Sequence, residues 1–426
     1  MRTYQELFRT PEFTPLFLTA SGQSAAQTVA GLALGSQVYA NTGSPLLTAL
    51  AMFGPALAQV VGAATLLSAT DRLPPRAALA GLPLLFALGT AVQALPALPG
   101  WAVVAVLLVQ GVIASLGGGV RYGLLNELLP SAGYLLGRSM LNISAGVVQI
   151  GAFALGGLLV DTLSPRGTLL IGAALHLTAS AVARFGLTRR AARADGRPSA
   201  GESWRTNARL WSAGPRRRVY LALWVPNGLI VGCESLYLPY APRQAGLLFA
   251  CGALGMLAGD TLAGRFVPPR WRERLDVPLC LLLAAPFLIF AFHPALPLAV
   301  AAVALATLGY ASGLLLQERL LALTPPELAG PALGLHSSDM LALQGAGAAL
   351  AGTLAELCSP GTAMALLAAA SLAVTLVLAP GLRGPIPVMP GIIDEPSASF
   401  PDERNDGCPR PGAGQGQPSE FSRGST

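Results

Sequence analysis

The amino-acid sequence predicts an all-α integral membrane protein with twelve transmembrane helices in two pseudo-symmetric six-helix bundles. Three observations predict this fold: a shortage of charge, twelve apolar runs of membrane-spanning length, and a repeat between the two halves. Of the 426 residues, 53% are hydrophobic and only 11% are charged. A soluble protein carries about 25% charged residues. Lipid must therefore replace water around most of the surface.

The composition also excludes several kinds of chemistry. Every basic residue except histidine is an arginine, so the lysine of a nucleotide-binding P-loop is missing, and energy from ATP through that motif is excluded. The five cysteines and three histidines are scattered without the spacing of a metal site. We therefore expect no metal, no cofactor and no enzymatic activity, since a membrane-embedded enzyme needs clustered catalytic side chains.

Twelve apolar runs account for the predicted spans. A helix needs about 20 apolar residues to cross a hydrocarbon core of about 30 Å. Short segments rich in proline, glycine and serine separate the runs, as turns require. The runs lie near residues 13–39, 46–68, 77–95, 101–120, 139–162, 167–186, 218–238, 244–263, 276–292, 295–316, 331–356 and 361–380.

Arginines predict the orientation. With the N-terminus in the cytoplasm, only Arg166 and Arg243 fall on the opposite side of the membrane, as the excess of positive charge in cytoplasmic loops requires. We therefore expect a multi-pass protein of the cytoplasmic membrane with both termini inside. We divide the chain into a first half (1–186), a charged cytoplasmic linker loop (187–217), a second half (218–383) and a disordered tail (384–426) that is rich in proline, glycine and serine.

The two halves resemble each other. A shift of 195 residues places Gln149 on Gln344, Gly157 on Gly352 and Asp161 on Glu356. A parallel repeat of this kind is the architecture of transporters whose halves rock about a site at their interface.

The loop after the second predicted span resembles the signature of the major facilitator superfamily, G-x-x-x-D-R-x-G-R-R. Asp71, Arg72 and Arg76 (DRLPPR) keep its acid and two of its arginines, whereas Leu67 replaces the glycine. The resemblance implies an acid–arginine contact that pins helix ends and reforms during rocking. Arg72 could equally be a topology anchor.

The equivalent loop of the second half is similar. It reads Gly264–Arg270 (GRFVPPR), and Asp260 precedes it. The same resemblance assigns the loop role to Asp260, Arg265 and Arg270, again with a topology anchor as the alternative for Arg265.

Two further stretches resemble the enterobactin exporter and other drug or siderophore exporters. They are Thr42–Pro45 (TGSP) and Glu127–Gly157. This resemblance implies export of a small molecule. Leu107 stands where proton-coupled exporters often carry an arginine ahead of the Gln110–Gly111 pair, so protons are a candidate coupling ion only.

Acids within predicted spans are functional candidates because a charge there is costly, and we single out Glu234 and Asp339. Glu234 lies 16 residues after Arg218, roughly 24 Å along a helix. It could bind protons or a cationic substrate group, or it could extend to the outer interface towards Arg243. Asp339 could line the inner end of the cavity, or it could lie at the start of a helix and be held by Arg319.

Amides and helix-end charges complete the candidates. Gln149 and Gln344 could line the cavity or bond across helices. Asn227, a further candidate for substrate or proton coupling, could also satisfy the backbone carbonyl that Pro226 frees at a kink, as could water. A cytoplasmic gate across the halves could be formed by Arg121 and Glu127 with Glu318 and Arg319, which could also be ordinary helix-end charges. Asp161 and Glu356 are expected to be solvated at outer helix ends.

We therefore expect a monomeric secondary active transporter that exports a small amphipathic drug-like or secondary-metabolite molecule by alternating access. Its partners would be the small-molecule substrate and membrane lipid, with no nucleic acid. An uptake carrier for a small nutrient, and a non-transporting sensor or scaffold on the same fold, remain alternatives.

Overall fold

A computed structural model describes residues 4–66, 73–96, 98–191 and 200–382, and these residues are helical without a β-strand among them. Within the described residues, 3₁₀ segments lie at Ala285–Phe292, Leu308–Ala311 and Pro326–Leu328. The α-helices are α1 (Tyr4–Arg9), α2 (Phe13–Thr42), α3 (Pro45–Leu66), α4 (Pro75–Gln93), α5 (Gly100–Leu128), α6 (Ser131–Leu163), α7 (Pro165–Gly186), α8 (Ala200–Ser212), α9 (Gly214–Ser235), α10 (Tyr237–Tyr240), α11 (Ala245–Phe266), α12 (Pro269–Ala284), α13 (Leu296–Thr307), α14 (Ser312–Ala322), α15 (Ala329–Leu357) and α16 (Pro360–Leu382).

Eleven helical stretches of the described chain are long and apolar enough to cross a membrane. They coincide with predicted spans two to twelve. The first predicted span coincides with α2, which has 30 residues and is long enough to cross, but carries Gln23, Ser24, Gln27 and Thr28 near its middle. Its lower apolar content separates it from the other eleven.

Three of the spans are interrupted helices. The seventh changes from α9 to α10 at Leu236, and the ninth continues from α12 as a 3₁₀ segment that has Pro286 in its first turn. The tenth is interrupted by the Leu308–Ala311 segment. There Gly309 lies against α12 so closely that a Cβ atom would come within 2.6 Å of the Leu279 carbonyl oxygen. Only a glycine permits this approach, as at other close helix contacts in membranes.

The linker, which was expected to be a loop, contains a helix. Helix α8 covers residues 200–212 and packs on α9 and α15. Leu210 is fully buried, and the Trp211 ring stacks on Trp224 with 5.6 Å between ring centroids and 3° between planes. An amphipathic helix therefore attaches the linker to the second half. The predicted tail, 384–426, lies outside the described residues.

Helices of the first and second halves meet in two related pairs, α3 with α15 and α6 with α11. Gly157 of α6 faces Gly246 of α11, where an added Cβ on Gly246 would lie 2.7 Å from the Gly157 Cα. Gly352 of α15 faces Leu46 of α3, with a corresponding distance of 2.5 Å to the Leu46 Cα. The repeat in the sequence pairs Gly157 with Gly352, and both lie at contacts between the halves.

Polar and aromatic contacts join the halves at the same end. The Tyr39 hydroxyl donates to the Pro239 carbonyl over 3.4 Å, and the Phe153 and Phe249 rings stack at 4.7 Å. The Ser44 hydroxyl and the Leu46 amide both donate to a carboxylate oxygen of Glu356, the latter over 3.3 Å. We call this end, which carries Thr42 and Leu357, the closed end.

Candidate functional site

A cavity of about 220 Å³ lies within the helices of the second half. We call it the second-half cavity. It is bordered by α9, α11, α12, α14, α15 and the Leu308–Ala311 segment. Its polar lining consists of Asn227, Asp260, Tyr310, Ser312, Gln317 and His336.

Glu234 is connected to this cavity through Tyr310. The Tyr310 hydroxyl donates to Glu234 Oε1 over 2.9 Å. Arg243, the alternative partner proposed from the sequence, is exposed beyond α10. The contact favours an interior role for Glu234, because a phenol of another helix solvates its carboxylate.

Asn227 and Gln344 form a hydrogen bond in which Gln344 Nε2 donates to Asn227 Oδ1 over 2.9 Å. Their helices, α9 and α15, come close because Gly228 and Gly232 face the backbone of α15, where added Cβ atoms would meet carbonyl oxygens at 2.6 Å. Asn227 therefore lines the cavity and also bonds across helices. Gln149 is half-buried on α6 and lines neither cavity described here.

Asp260, which was assigned a role with the loop that follows it, lies within a helix, as the predicted span 244–263 requires. It lies on α11, which continues for six more residues to Phe266, and its side chain lines the second-half cavity. The helix continues beyond Asp260 into the first residues of the motif, because residues 261–266 are mostly apolar. Arg265 is exposed in the last turn of α11, as a residue at a membrane surface would be.

His336 and Asp339 lie one turn apart on α15 but differ in environment. His336 is 4% exposed and lines the cavity, and Trp224 Nε1 donates to its Nδ1 over 3.1 Å. A neutral imidazole in this arrangement carries its proton on Nε2. Asp339 is half-buried, and both interpretations of it stay open.

Residues of the predicted loops tie helix ends together. Arg76 donates through Nε to the Arg184 carbonyl at the end of α7 over 2.9 Å, where a cation is favourable. Asp71 and Arg72 lie outside the described residues, as does the side chain of Arg270.

Arg272 has a comparable role in the second half, and the sequence analysis missed it. Its Nε donates to the Val267 carbonyl over 3.1 Å, and its Nη1 lies 3.2 Å from Glu318 Oε2. The only signal for Arg272 in the sequence was its position two residues after Arg270, the last arginine of the motif.

Three of the four charges proposed as a cytoplasmic gate, Glu127, Glu318 and Arg319, have partners that do not belong to the opposite half. Arg319 lies 3.6 Å from Asp276, and both side chains are buried. Glu127 lies 3.8 Å from Arg190, while Arg121 is half-buried on α5. A gate across the halves therefore stays a prediction for another conformation.

Arg190 also binds Glu12 with two hydrogen bonds of 2.8 and 2.9 Å. Partial burial by itself would raise the pKa of Glu12, but the hydrogen bonds from Arg190 and Thr188 outweigh it and hold this pKa below its ordinary value. Glu12, Glu127 and Arg190 thus connect α2, α5 and the chain after α7.

A second cavity, of about 230 Å³, lies within the helices of the first half. We call it the first-half cavity. Its polar lining consists of Gln27, Gln59, Thr90, Gln93, Gln110 and His176, and no charged residue lines it. The sequence analysis singled out only Gln110, because the glutamines lie on four different helices and form no local pattern.

Comparisons with known proteins give similarity at the level of structure only. No family model matches the chain, and no curated protein matches it. A variant of the nucleoside transporter NupG superposes with a TM-score of 0.72 at 13% identity, over 87% of this chain and 99% of that one. The chain therefore has the same fold as this transporter.

Two further solved structures agree. A POT family transporter in complex with a thioalcohol-conjugated peptide gives a TM-score of 0.70 at 11% identity, over 87% of this chain and 96% of that one. A bacterial homologue of the human lysosomal transporter Spinster, in an inward-facing and unoccupied conformation, gives a TM-score of 0.66 at 13% identity, over 87% of this chain and 95% of that one. The predicted all-α membrane fold is confirmed.

Proposed function

We propose that this protein is a secondary active transporter that exports small amphipathic molecules by alternating access, with protons as the coupling ion. The observation that carries the proposal is a pair of acids within membrane-spanning helices, Glu234 and Asp260, beside one cavity. A charge inside a membrane is expensive and marks substrate or ion pathways. Tyr310 contacts Glu234 and lines the cavity that Asp260 also lines, so one site serves both acids.

The contacts between the halves support alternating access. The closed end is held by a few hydrogen bonds and by close glycine contacts, which a rocking motion could break without unfolding either half. With the N-terminus in the cytoplasm, the closed end is the outer one. The proposed cycle then alternates between this conformation and one that opens at Thr42 and Leu357.

Export is preferred because the second-half cavity is mostly apolar and contains one acid, Asp260. An amphipathic molecule with a basic or neutral polar group fits that lining. Uptake of a neutral polar nutrient is the second candidate, and the amide-lined first-half cavity favours it.

The proposal is tested by the accumulation of amphipathic dyes and antibiotics in a pump-deficient bacterium that expresses the chain, with and without a protonophore. We expect lower accumulation that the protonophore abolishes, and loss of this effect in Glu234→Gln. Glu327→Gln, an exposed glutamate in the Pro326–Leu328 segment, is the matched control. Unchanged accumulation across the panel, with the protein present in the membrane, would count against export, and normal export by Glu234→Gln would remove that residue from coupling.

A further inference from the structure

The first-half cavity has a polar interior and an accessible side. Gln27 is exposed and Gln59 is half-buried, so other parts of the protein do not cover that side. Deeper, Gln93 Nε2 donates to Gln110 Oε1 over 3.3 Å, and Gln110 Nε2 donates to the Phe86 carbonyl over 3.2 Å. These bonds orient two buried amides at the cavity wall.

His176 provides unmet hydrogen-bonding capacity in the same cavity. Its side chain is 1% exposed, lines the cavity, and stacks on Phe86 with 5.4 Å between centroids. Its Nδ1 atom is buried without a hydrogen-bond partner. A buried polar atom left unpaired is unfavourable, so a group that bonds to Nδ1 would be favoured there.

The two cavities differ in charge. They occupy related positions in the repeat, since α2, α3, α4 and α5 correspond in order to α9, α11, α12 and the tenth span. The second-half cavity contains Asp260, whereas uncharged amides, Thr90 and His176 provide the polar lining of the first. Amides donate and accept hydrogen bonds equally well, which suits hydroxyl groups and offers no counter-charge to an ion.

The size of the cavity limits what it holds. Pockets for whole drug-sized ligands measure about 300–1,000 Å³, and this one measures about 230 Å³. Leu34, Met52, Phe86 and Leu107 provide apolar wall between the amides. One ring with hydroxyl groups fits this combination.

We propose that the first-half cavity binds an uncharged, hydroxyl-bearing group of the substrate, of the size of one sugar ring. This inference rests on the proposed transport function and assigns it a substrate class. The apolar remainder of the substrate extends past Gln27 and Gln59. Charged groups are excluded from this cavity because no ion partner lines it.

Binding of 4-nitrophenyl β-D-glucoside and 4-nitrophenyl β-D-glucuronide to the purified full-length protein in nanodiscs tests the proposal by calorimetry. The two probes differ by a carboxylate in place of a hydroxymethyl group. We expect the glucoside to bind at least about tenfold more tightly. Gln93→Leu and Gln59→Leu should each weaken glucoside binding about three- to tenfold, as expected for a lost hydrogen bond.

Gln23→Leu is the matched control, since Gln23 is buried on α2 but does not line the cavity. Gln59 is only half-buried, so its variant keeps the test valid should Gln93→Leu fail to fold. Equal or tighter binding of the glucuronide, no binding of the glucoside at millimolar concentration, or equal losses in Gln23→Leu would each overturn the proposal.

The outcomes separate this inference from the proposed function. Dye export that depends on Glu234, together with no glucoside binding, would leave transport intact and reject the sugar-sized site. Glucoside binding that depends on Gln93, together with no transport in cells, would keep the site and reject the transporter.

Discussion

Gly246→Ala should open the closed end, because it inserts a methyl group where two helices nearly touch. The added Cβ would lie 2.7 Å from the Gly157 Cα and 2.9 Å from the Phe153 carbonyl oxygen. Ordinary van der Waals contact begins near 3.4 Å, so α6 and α11 must separate by about 0.7 Å. Both obstructing atoms belong to the backbone, so no change of rotamer relieves the clash.

The cost falls on the closed conformation alone, since the two helices part when this end opens. Overpacking of a tight contact costs about 1–3 kcal/mol, which corresponds to a population shift of about 5- to 150-fold towards the open conformation. Spin labels at Asp161 and Arg243, which are exposed in the two halves near this end, would report it. We expect a longer distance in double electron–electron resonance, measured after replacement of the native cysteines by alanine.

Gly151→Ala is the control on the same helix as Gly157, because a Cβ at Gly151 meets no atom within 4 Å. It should leave the distance distribution unchanged. An unaltered distribution in Gly246→Ala, or the same shift in both variants, would refute the reasoning.

Three further predictions follow from charged contacts. Thermal stability in detergent should fall as the pH drops from about 4.3, the ordinary pKa of a glutamate, through the lower pKa of folded Glu12, because protonation releases Arg190. Glu356→Gln should shift the same spin-label distance in the opening direction, by less than Gly246→Ala, since it removes a charge worth about 0.3–1 kcal/mol at a helix N-terminus. Tyr310→Phe should lower the melting temperature, because Glu234 loses its donor, a bond worth about 1.5–3 kcal/mol.

Each of these has its own control. The acid-dependent loss should disappear in Glu12→Gln, and an identical loss there would show that other groups cause it. An unchanged distance in Glu356→Gln would mean that the charge of Glu356 contributes nothing to closure. For Tyr310, the double variant with Tyr310→Phe and Glu234→Gln should lose less stability than the sum of the losses in the two single variants. Additive losses would show that the two side chains do not interact.

Membrane spans were predictable because the bilayer imposes one length on every crossing. The predicted limits agree with helices such as α7, expected at 167–186 and found at Pro165–Gly186. The break at Leu308–Ala311 was not predictable, since it depends on how closely Gly309 approaches α12. Hydropathy describes one helix in lipid and contains no information about its neighbours.

The candidate site was predictable only in part. Glu234 was found because a charge in an apolar run is visible locally, but its partner Tyr310 lies 76 residues away. Glu356 is exposed, as expected, but its hydrogen bonds from Ser44 and Leu46, across 312 and 310 residues, were not predicted. Such pairings depend on the register between packed helices, which a single sequence does not reveal.

The attachment of α8 has a mechanical consequence for the movement of the halves. A free linker of about 30 residues could span about 100 Å and would hardly restrain them. Arg190 is bound to the first half through Glu12 and Glu127, and α8, which begins at Ala200, is bound to the second half through Leu210 and Trp211. Only ten peptide units separate Arg190 from Ala200, so these two attachment points can lie at most about 35 Å apart. This distance is an upper limit on how far the two halves can separate at the linker end of the protein, whatever causes that end to open.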